Sequence, residues 1–210
     1  MKWKKVISIV CMALSLLAVT ACGGQQAAQN GGSKAAGTAA AEKAPAKAKK
    51  MLVVYYTNTH RTEQVAKTIA GETGGDLYLL DLEKPYTPAD LDYNNKSARV
   101  YKEHDDPSLR NVALKNTKPA NWQDYDTVFV GYPIWWGIAA WPMDTFVKSN
   151  DFTGKTVIPF ATAYSSGLGS SADQLKEMAG SKGTWLQGRC FTGTIQDSQV
   201  KDWVKSLGVK

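Results

Sequence analysis

The chain is poor in the residues that carry most protein-based catalysis. It has three cysteines and two histidines in 210 residues, and Cys190 is the only cysteine after residue 22. One thiol excludes a disulfide within that stretch, and two isolated histidines disfavour a zinc site. The sequence has no Gly-x-Ser-x-Gly turn, and His60 and His104 precede the serines at 165–171. Since α/β-hydrolases place their histidine after the serine, a hydrolase is not expected.

The N-terminus also lacks an apolar run of membrane-spanning length. Its apolar stretch, Val6 to Val19, is short of the roughly 20 residues that a spanning helix needs. Three lysines precede this stretch, at positions 2, 4 and 5, and small residues follow it. A basic segment, a short apolar segment and small residues predict a secretory signal.

The end of this signal resembles the lipobox of bacterial lipoproteins. The matching residues are Leu17-Ala18-Val19-Thr20-Ala21-Cys22, followed by two glycines. The resemblance implies cleavage before Cys22, a diacylglycerol on its thiol, and stable anchoring by two or more acyl chains. The alternative is a plain signal peptide with an incidental cysteine. We therefore expect a signal peptide over 1–21 and a protein of the bacterial cell envelope, lipid-anchored on the outer side of the cytoplasmic membrane or facing the periplasm.

Residues 23–50 have no aliphatic side chain larger than alanine. Such a segment cannot bury enough apolar surface to offset its ordering, so 22–50 is predicted to be a lipidated cysteine followed by a disordered tether. The folded domain is expected over 51–210.

The positive charge of the chain belongs to its N-terminal segment. Residues 1–50 carry eight lysines against one glutamate, whereas residues 51–210 carry 17 Lys and Arg against 18 Asp and Glu. A nucleic-acid-binding domain needs its basic charge on a folded face. We therefore expect no nucleic-acid partner.

From Met51 onward, apolar runs alternate with helical patterns. Strands are predicted at 51–56, 77–82, 127–132, 156–161 and 184–191, and helices at 62–72, 88–103, 142–149, 170–179 and 196–207. Continuous apolar strands separated by helices indicate an α/β protein with a parallel sheet and helices on both faces. Five strands fit the doubly wound order 2-1-3-4-5, in which the ligand site lies beyond the carboxyl ends of strands 1 and 3.

The loop after the first strand has the composition of an anion pocket. Thr57, Thr59 and Thr62 offer hydroxyls, Arg61 offers a full positive charge, and a helix begins at once. The first N–H groups of a helix have no partner within it and carry partial positive charge. Threonine and asparagine before a helix are also ordinary capping residues. The combination predicts a phosphate site.

The loop after the third strand is unusually aromatic. Residues Gly131 to Pro142 include three tryptophans and a tyrosine, although loops are usually polar. Tyr132 and either Trp135 or Trp136 could stack on a flat heterocycle, and backbone near Gly137 could approach its edge. A hydrophobic plug or a subunit contact would explain the same residues.

The loop after the fourth strand, Thr162 to Ser171, combines two glycines with several hydroxyls. It could wrap closely around a ligand, although an ordinary Gly/Ser turn has the same composition. The fold brings all three loops to one edge of the sheet. A phosphate pocket beside an aromatic cleft suits a phosphorylated flat cofactor such as FMN.

These loops resemble those of the flavodoxin-like family. Residues 53–62, followed by Val65-Ala66, resemble the flavodoxin phosphate loop, which usually reads hydroxyl, any residue, Thr, Gly, Asn, Thr. The run Gly131-Tyr132-Pro133-Ile134-Trp135-Trp136-Gly137 closely resembles the second loop of a bacterial subgroup. Residues 166–171 and 185–188 are also similar to that subgroup. The resemblance covers about 51–208.

The resemblance implies FMN as the cofactor. The implied phosphate ligands are the hydroxyls of Thr57, Thr59 and Thr62 and the amides of Asn58, Thr59, His60 and Arg61. The implied neighbours of the isoalloxazine ring are Pro133, Ile134, Trp135, Trp136 and Gly137 on one loop and Thr162, Ala163, Tyr164, Ser165, Gly167 and Gly169 on the other. His60 and Arg61 depart from the family, which has Gly and Asn there. If position 60 has a positive φ, histidine carries a modest cost.

The function expected from these observations is redox chemistry on a bound FMN, without a catalytic side chain. The protein would carry electrons to a redox partner protein, or reduce a small flat, quinone-like acceptor with a nicotinamide donor. Related quinone reductases are commonly homodimers, so a homodimer is a further expectation. The alternative is a cofactor-free binding or scaffold lipoprotein that kept the fold.

Overall fold

A computed structural model describes residues 49–209 of the protein. The strands are β1 Met51–Tyr55, β2 Asp76–Leu79, β3 Thr127–Trp135, β4 Ile138–Ala139, β5 Thr156–Thr162, β6 Thr184–Trp185 and β7 Arg189–Phe191. The helices are α1 Arg61–Thr73, α2 Arg99–Asp105, α3 Pro142–Ser149, α4 Ser171–Met178 and α5 Asp197–Ser206, with short 3-10 turns at Pro107–Arg110 and Trp122–Asp124. The predicted signal peptide, Cys22 and nearly all of the predicted tether lie outside the described residues.

The sheet has the predicted doubly wound order. Its parallel strands run β2-β1-β3-β5-β6, β7 also pairs with β5, and β4 is an antiparallel addition to β3. Counting β6 and β7 as two parts of one edge strand gives the order 2-1-3-4-5. The fold class predicted from the sequence is confirmed.

The fifth strand is divided because of a proline in its neighbour. Leu186 donates its N–H to the Val157 carbonyl, 2.9 Å away. In a parallel ladder the next bond would run from residue 159 to the Leu186 carbonyl, and Pro159 has no N–H to donate. The strand predicted over 184–191 is therefore interrupted at Leu186–Gly188.

Side chains alternate between two apolar layers along the central strands. On β1, Leu52 and Val54 belong to the layer that also contains α3 and α4 residues. Val53 and Tyr55 belong to the opposite layer, with α1 and α5. Since a strand buried on both faces needs apolar residues at every position, the unbroken run of β1 is explained.

The second predicted helix also differs from the structure. The helix predicted over 88–103 begins only at Arg99. Asp92 Oδ1 accepts from the Asn94 amide at 3.1 Å, and Asn95 Oδ1 accepts from the Ser97 amide at 2.9 Å. Such side-chain bonds to nearby amides favour turns over helix.

The third strand is longer than predicted, because β3 continues to Trp135 and then folds back as β4. The aromatic stretch therefore forms a hairpin at the carboxyl edge of the sheet, where a loop was expected. None of the helices within residues 49–209 is both long enough and apolar enough to cross a membrane.

Candidate functional site

A cavity of about 450 Å³ lies where the segments that follow β1 and β5 meet the end of β3. Its wall is formed by Asn58, Thr59, Arg61, Leu91, Tyr93, Val100, Pro133, Ile134, Trp135, Trp136, Thr162, Ala163 and Tyr164. The three loops selected from the sequence therefore border one space. This volume falls within the range of small-molecule sites in proteins.

The start of α1 points free N–H groups toward the first of these loops. His60 caps the helix with a φ of 61°, and its side chain makes no capping bond. Its Nδ1 instead lies 2.6 Å from Glu63 Oε2. The amides of Arg61, Thr62 and Glu63 therefore have neither an intrahelical partner nor a bond to the His60 side chain, which leaves them available to an anion.

Glu63 is the one acidic residue in the first turn of α1. Its hydrogen bonds with Lys67 and with His60 hold the pKa of this carboxyl below its usual value. Lys67 Nζ lies 2.7 Å from Glu63 Oε1. These two partners reduce the repulsion that Glu63 would exert on an anion at the helix start.

Two polar atoms in the loop are buried and lack a hydrogen-bond partner in the described structure: Thr57 Oγ1 and Asn58 Oδ1. A buried polar group without a partner is costly, and a bound ligand can supply the missing bond. The Thr57 hydroxyl can donate to an anion oxygen, and the Asn58 amide can donate or accept. This chemistry fits a phosphate ester with neighbouring hydroxyls.

Arg61 and Thr62 connect the loop to other elements. Arg61 Nη2 donates to the Gly193 carbonyl at 2.6 Å, and the side chain also lines the cavity. Thr62 is buried, and its Oγ1 lies 2.8 Å from Thr162 Oγ1. This bond joins the start of α1 to the end of β5. Thr62 itself does not line the cavity wall, whereas Thr162 does.

The hairpin between β3 and β4 turns at Trp136 and Gly137, whose φ angles are 46° and 82°. Two successive positive φ angles define the tight type of hairpin turn in which Asn-Gly is favoured. A tryptophan in the left-handed region is unfavourable, at a cost on the order of 1–2 kcal/mol. Trp136 therefore occupies a strained position, and its ring lines the cavity.

Trp135, beside the turn, sits among aromatic rings. It packs edge-on against Tyr56 at 5.9 Å, Tyr86 at 5.3 Å and Trp141 at 5.3 Å between centroids. Such contacts give a rigid wall, because each ring limits the rotation of the next. Trp136 is less enclosed and is 41% exposed.

The third loop contributes one exposed aromatic side chain to the cavity wall. Thr162 and Ala163 are buried, whereas Tyr164 is 93% exposed at the cavity wall. Gly169 closely approaches the hairpin, since a Cβ built there would lie 3.6 Å from the Gly137 carbonyl oxygen. The loop and the hairpin turn are therefore in contact.

Ten of the predicted site residues line the cavity, and the other seven lie beside it or farther back along the same segments. The seven are Thr57, His60, Thr62, Gly137, Ser165, Gly167 and Gly169. Which of the seventeen contact a cofactor stays a prediction. Lipidation of Cys22 lies outside the described residues.

The sequence analysis missed one wall of the cavity. Leu91, Tyr93 and Val100 come from the segment between β2 and β3 and face the hairpin side. Behind them, Glu103 accepts from Tyr86 Oη at 2.5 Å and from Arg99 Nε at 2.7 Å. Burial and the hydrogen bond with Glu103 raise the pKa of Tyr86. All three wall residues lie in the stretch that was predicted to be a helix over 88–103, and nothing in its pattern indicated that it would contact the cavity.

Among residues 49–209 no group of three or more metal-ligating side chains comes together. The cavity combines a helix start whose first amides have no partner with aromatic and aliphatic walls. This arrangement can bind a flat molecule that carries a phosphate group.

The strand order and the cavity together define a doubly wound α/β protein with a cavity at its topological switch point. The flavodoxin family profile matches residues 50–207. The chain therefore belongs to the flavodoxin family.

Similar solved structures agree with this family. A crystal structure described as a candidate flavoprotein from Bacteroides eggerthii is 40% identical, with a TM-score of 0.69, and the match covers 77% of this chain and 99% of that chain. A second one, from Bacteroides uniformis, is 38% identical with a TM-score of 0.69 and coverages of 76% and 99%.

A flavoprotein in complex with FMN from Lactobacillus acidophilus is more distant, at 22% identity, a TM-score of 0.49 and coverages of 74% and 99%. The comparison with curated proteins gave no match.

Proposed function

We propose that this flavodoxin-family protein binds FMN and acts as a membrane-anchored redox protein. The observation that carries the proposal is the shared cavity, which has an anion-binding helix start at one place and an aromatic hairpin at another. The unpartnered Thr57 hydroxyl and Asn58 amide oxygen support it further, because a phosphate and a ribityl chain offer the partners that these atoms lack.

In this proposal the residues at the start of α1 hold the phosphate. The Thr57 and Thr59 hydroxyls donate to its oxygens, the first amides of α1 add N–H donors, and Arg61 adds charge. Arg61 is already fixed by its bond to the Gly193 carbonyl. A guanidinium that is held in place before binding loses little freedom when an anion arrives.

The aromatic and aliphatic side chains would hold the ring. Trp135 and Trp136 form one side, and Tyr164 stands on the loop after β5. Their role is to orient the ring by stacking and to exclude water from its faces. When bound, FMN supplies the redox chemistry, since it accepts one or two electrons or a hydride.

Two uses of the bound cofactor fit the site. The protein would either pass electrons to a redox partner protein or reduce a small quinone-like acceptor that reaches the exposed part of the cavity. The near-neutral body, with 17 basic and 18 acidic residues in 51–210, gives little net charge to steer a charged protein partner. This favours the small acceptor.

The lipobox-like residues ending at Cys22 support membrane anchoring, with the tether of residues 23–50 joining the anchor to the domain. Two or more acyl chains would hold the protein stably at the outer side of the cytoplasmic membrane. Replacing Cys22 with serine should release the protein from the membrane fraction. Retention of the Cys22→Ser protein in that fraction would contradict the lipid anchor.

A second candidate is a scaffold lipoprotein that kept the fold and lost the flavin. His60 favours it, because the family usually has glycine at this left-handed position. The test is the absorption spectrum of the purified protein, residues 23–210. FMN binding predicts a yellow protein with a flavin band and with flavin fluorescence quenched by the neighbouring indoles. A colourless protein that does not bind added FMN would favour the scaffold function.

Anaerobic stopped-flow mixing then separates the two redox uses. Bleaching of the flavin band by a nicotinamide donor, followed by its return on adding a quinone, indicates a reductase. A flavin that is not bleached by nicotinamide donors indicates an electron carrier.

A further inference from the structure

The indole of Trp136 rests on a histidine that the proposed function does not use. The His104 and Trp136 rings are stacked, with centroids 4.4 Å apart and planes inclined by 26°. Tyr93 and Tyr101 meet the same indole edge-on at 6.2 and 6.3 Å. Trp141 is also nearly parallel to the indole, at 15°, with the centroids 6.3 Å apart. The imidazole is therefore the nearer of the two rings that stack on Trp136.

The stack helps to explain how the strained turn persists. Trp136 has a φ of 46°, and a bulky residue keeps such a conformation only when its surroundings favour it. The backbone of His104 is fixed in turn, because Arg110 Nη2 donates to its carbonyl at 2.5 Å. The imidazole is thus a fixed surface on which the indole is held.

Imidazole is also the group in this aromatic cluster whose charge changes near neutral pH. Its Nδ1 lies 3.2 Å from Asp105 Oδ1. The Arg110 guanidinium donates to the His104 carbonyl and lies over the Trp141 ring, 4.5 Å from its centroid. The remaining neighbours, Tyr101 on the same helix and Trp136 on the hairpin, carry no charge near neutral pH.

We propose that His104 is a positioning residue, which holds the Trp136 indole at the cavity and couples that indole to protonation of the imidazole. A protonated imidazole against the face of an indole is a cation–π pair, which strengthens the stack. Through Trp136, His104 acts on whatever flat ligand the cavity binds.

The first test needs no ligand. A protonated imidazole in contact with an indole quenches its fluorescence, so the tryptophan emission of the full chain should fall as the pH is lowered from about 8 to about 5. His104→Phe, which keeps a flat ring without the charge, should abolish the fall, and so should Trp136→Phe.

The chain offers a matched control, since His60 is the only other histidine. Its side chain is 84% exposed and bonds to Glu63. His60→Phe should keep the fluorescence change. A fall that persists in His104→Phe, or that disappears in His60→Phe, would overturn the proposal. His104→Gln serves the same purpose if His104→Phe unfolds.

The second test, which rests on the proposed function, measures FMN affinity at about pH 8, where imidazole is neutral. Removal of the stacking surface in His104→Ala should weaken FMN about two- to fivefold, whereas His104→Phe should bind like the wild type. Equal affinity of His104→Ala and the wild type would refute the positioning role. If the wild type itself binds no FMN, the proposed function fails, and the fluorescence titration alone decides the role of His104.

Discussion

At the scale of single residues, Thr57 is the sharpest test of the phosphate site. Its hydroxyl is buried without a partner in the described structure. Thr57→Val keeps the shape and removes the donor. FMN affinity, measured by titrating flavin fluorescence, should fall by about 1–3 kcal/mol, whereas riboflavin affinity should hardly change.

Thr184→Val is the matched control, because Thr184 is exposed on β6, far along the sheet from the cavity. It should leave both affinities unchanged. Equal loss of FMN and riboflavin affinity in Thr57→Val would show that the hydroxyl does not serve the phosphate.

Asp144 makes the stability of the protein depend on pH. Burial raises the pKa of this carboxyl from 3.8 to about 6, against the opposing effects of Lys148 and Arg110. The folded state therefore holds a proton that the unfolded chain releases, so stability falls as the pH rises between these two values. The Asp144→Asn protein should therefore become more stable relative to the wild type as the pH rises from about 4 to about 7. The difference in the free energy of unfolding should reach up to about 3 kcal/mol.

Urea unfolding at several pH values measures this effect. Asp173→Asn is the matched control, because Asp173 is an exposed aspartate at the same position in the first turn of α4. A stability difference between Asp144→Asn and the wild type that is constant across this pH range would contradict the prediction.

At the scale of elements, the contact between β3 and β5 depends on a missing side chain. Gly131 lies opposite Phe160 in the register, and a Cβ on Gly131 would lie 2.0 Å from Phe160 Cζ. Gly131→Ala should destabilise the fold by about 3 kcal/mol. The new methyl group would displace the buried Phe160 ring, and the paired strands cannot move apart to make room for it. Denaturant unfolding measures the loss.

Gly167→Ala is the control for this prediction, since a Cβ there meets no atom within 4 Å. It should change stability by less than about 0.5 kcal/mol. Adding Phe160→Leu should recover part of the loss caused by Gly131→Ala. If the two substitutions changed the free energy of unfolding additively, the contact between residues 131 and 160 would not be the cause of the loss.

The elements also show where sequence patterns failed. The continuous apolar runs of β1, β3 and β5 identified central strands correctly, because strands covered on both faces need apolar residues throughout. The hairpin after β3 was missed, since its turn places Trp136 where Asn or Gly is usual. The predicted helix over 88–103 began too early, because hydrogen bonds from the Asp92 and Asn95 side chains to nearby amides compete with helix formation.

At the scale of the whole molecule, FMN binding should appear as stabilisation. A ligand that binds only the folded state, present at 100 times its dissociation constant, adds about 2.7 kcal/mol. FMN should therefore raise the melting temperature of the protein, measured by circular dichroism. Adenosine monophosphate, which has the phosphate without the flavin, should have much less effect. An unchanged melting temperature at saturating FMN would contradict the proposed function.

The sequence by itself determined the order of the sheet, the family and the three segments that carry the candidate site. Periodicity and loop composition are local properties, and the doubly wound order then fixes which loops are neighbours. Only the tertiary structure decided the rest of the site. The wall of Leu91, Tyr93 and Val100 and the stack of His104 on Trp136 join residues that are distant in sequence. Such contacts depend on packing between elements, which no local pattern in the chain encodes.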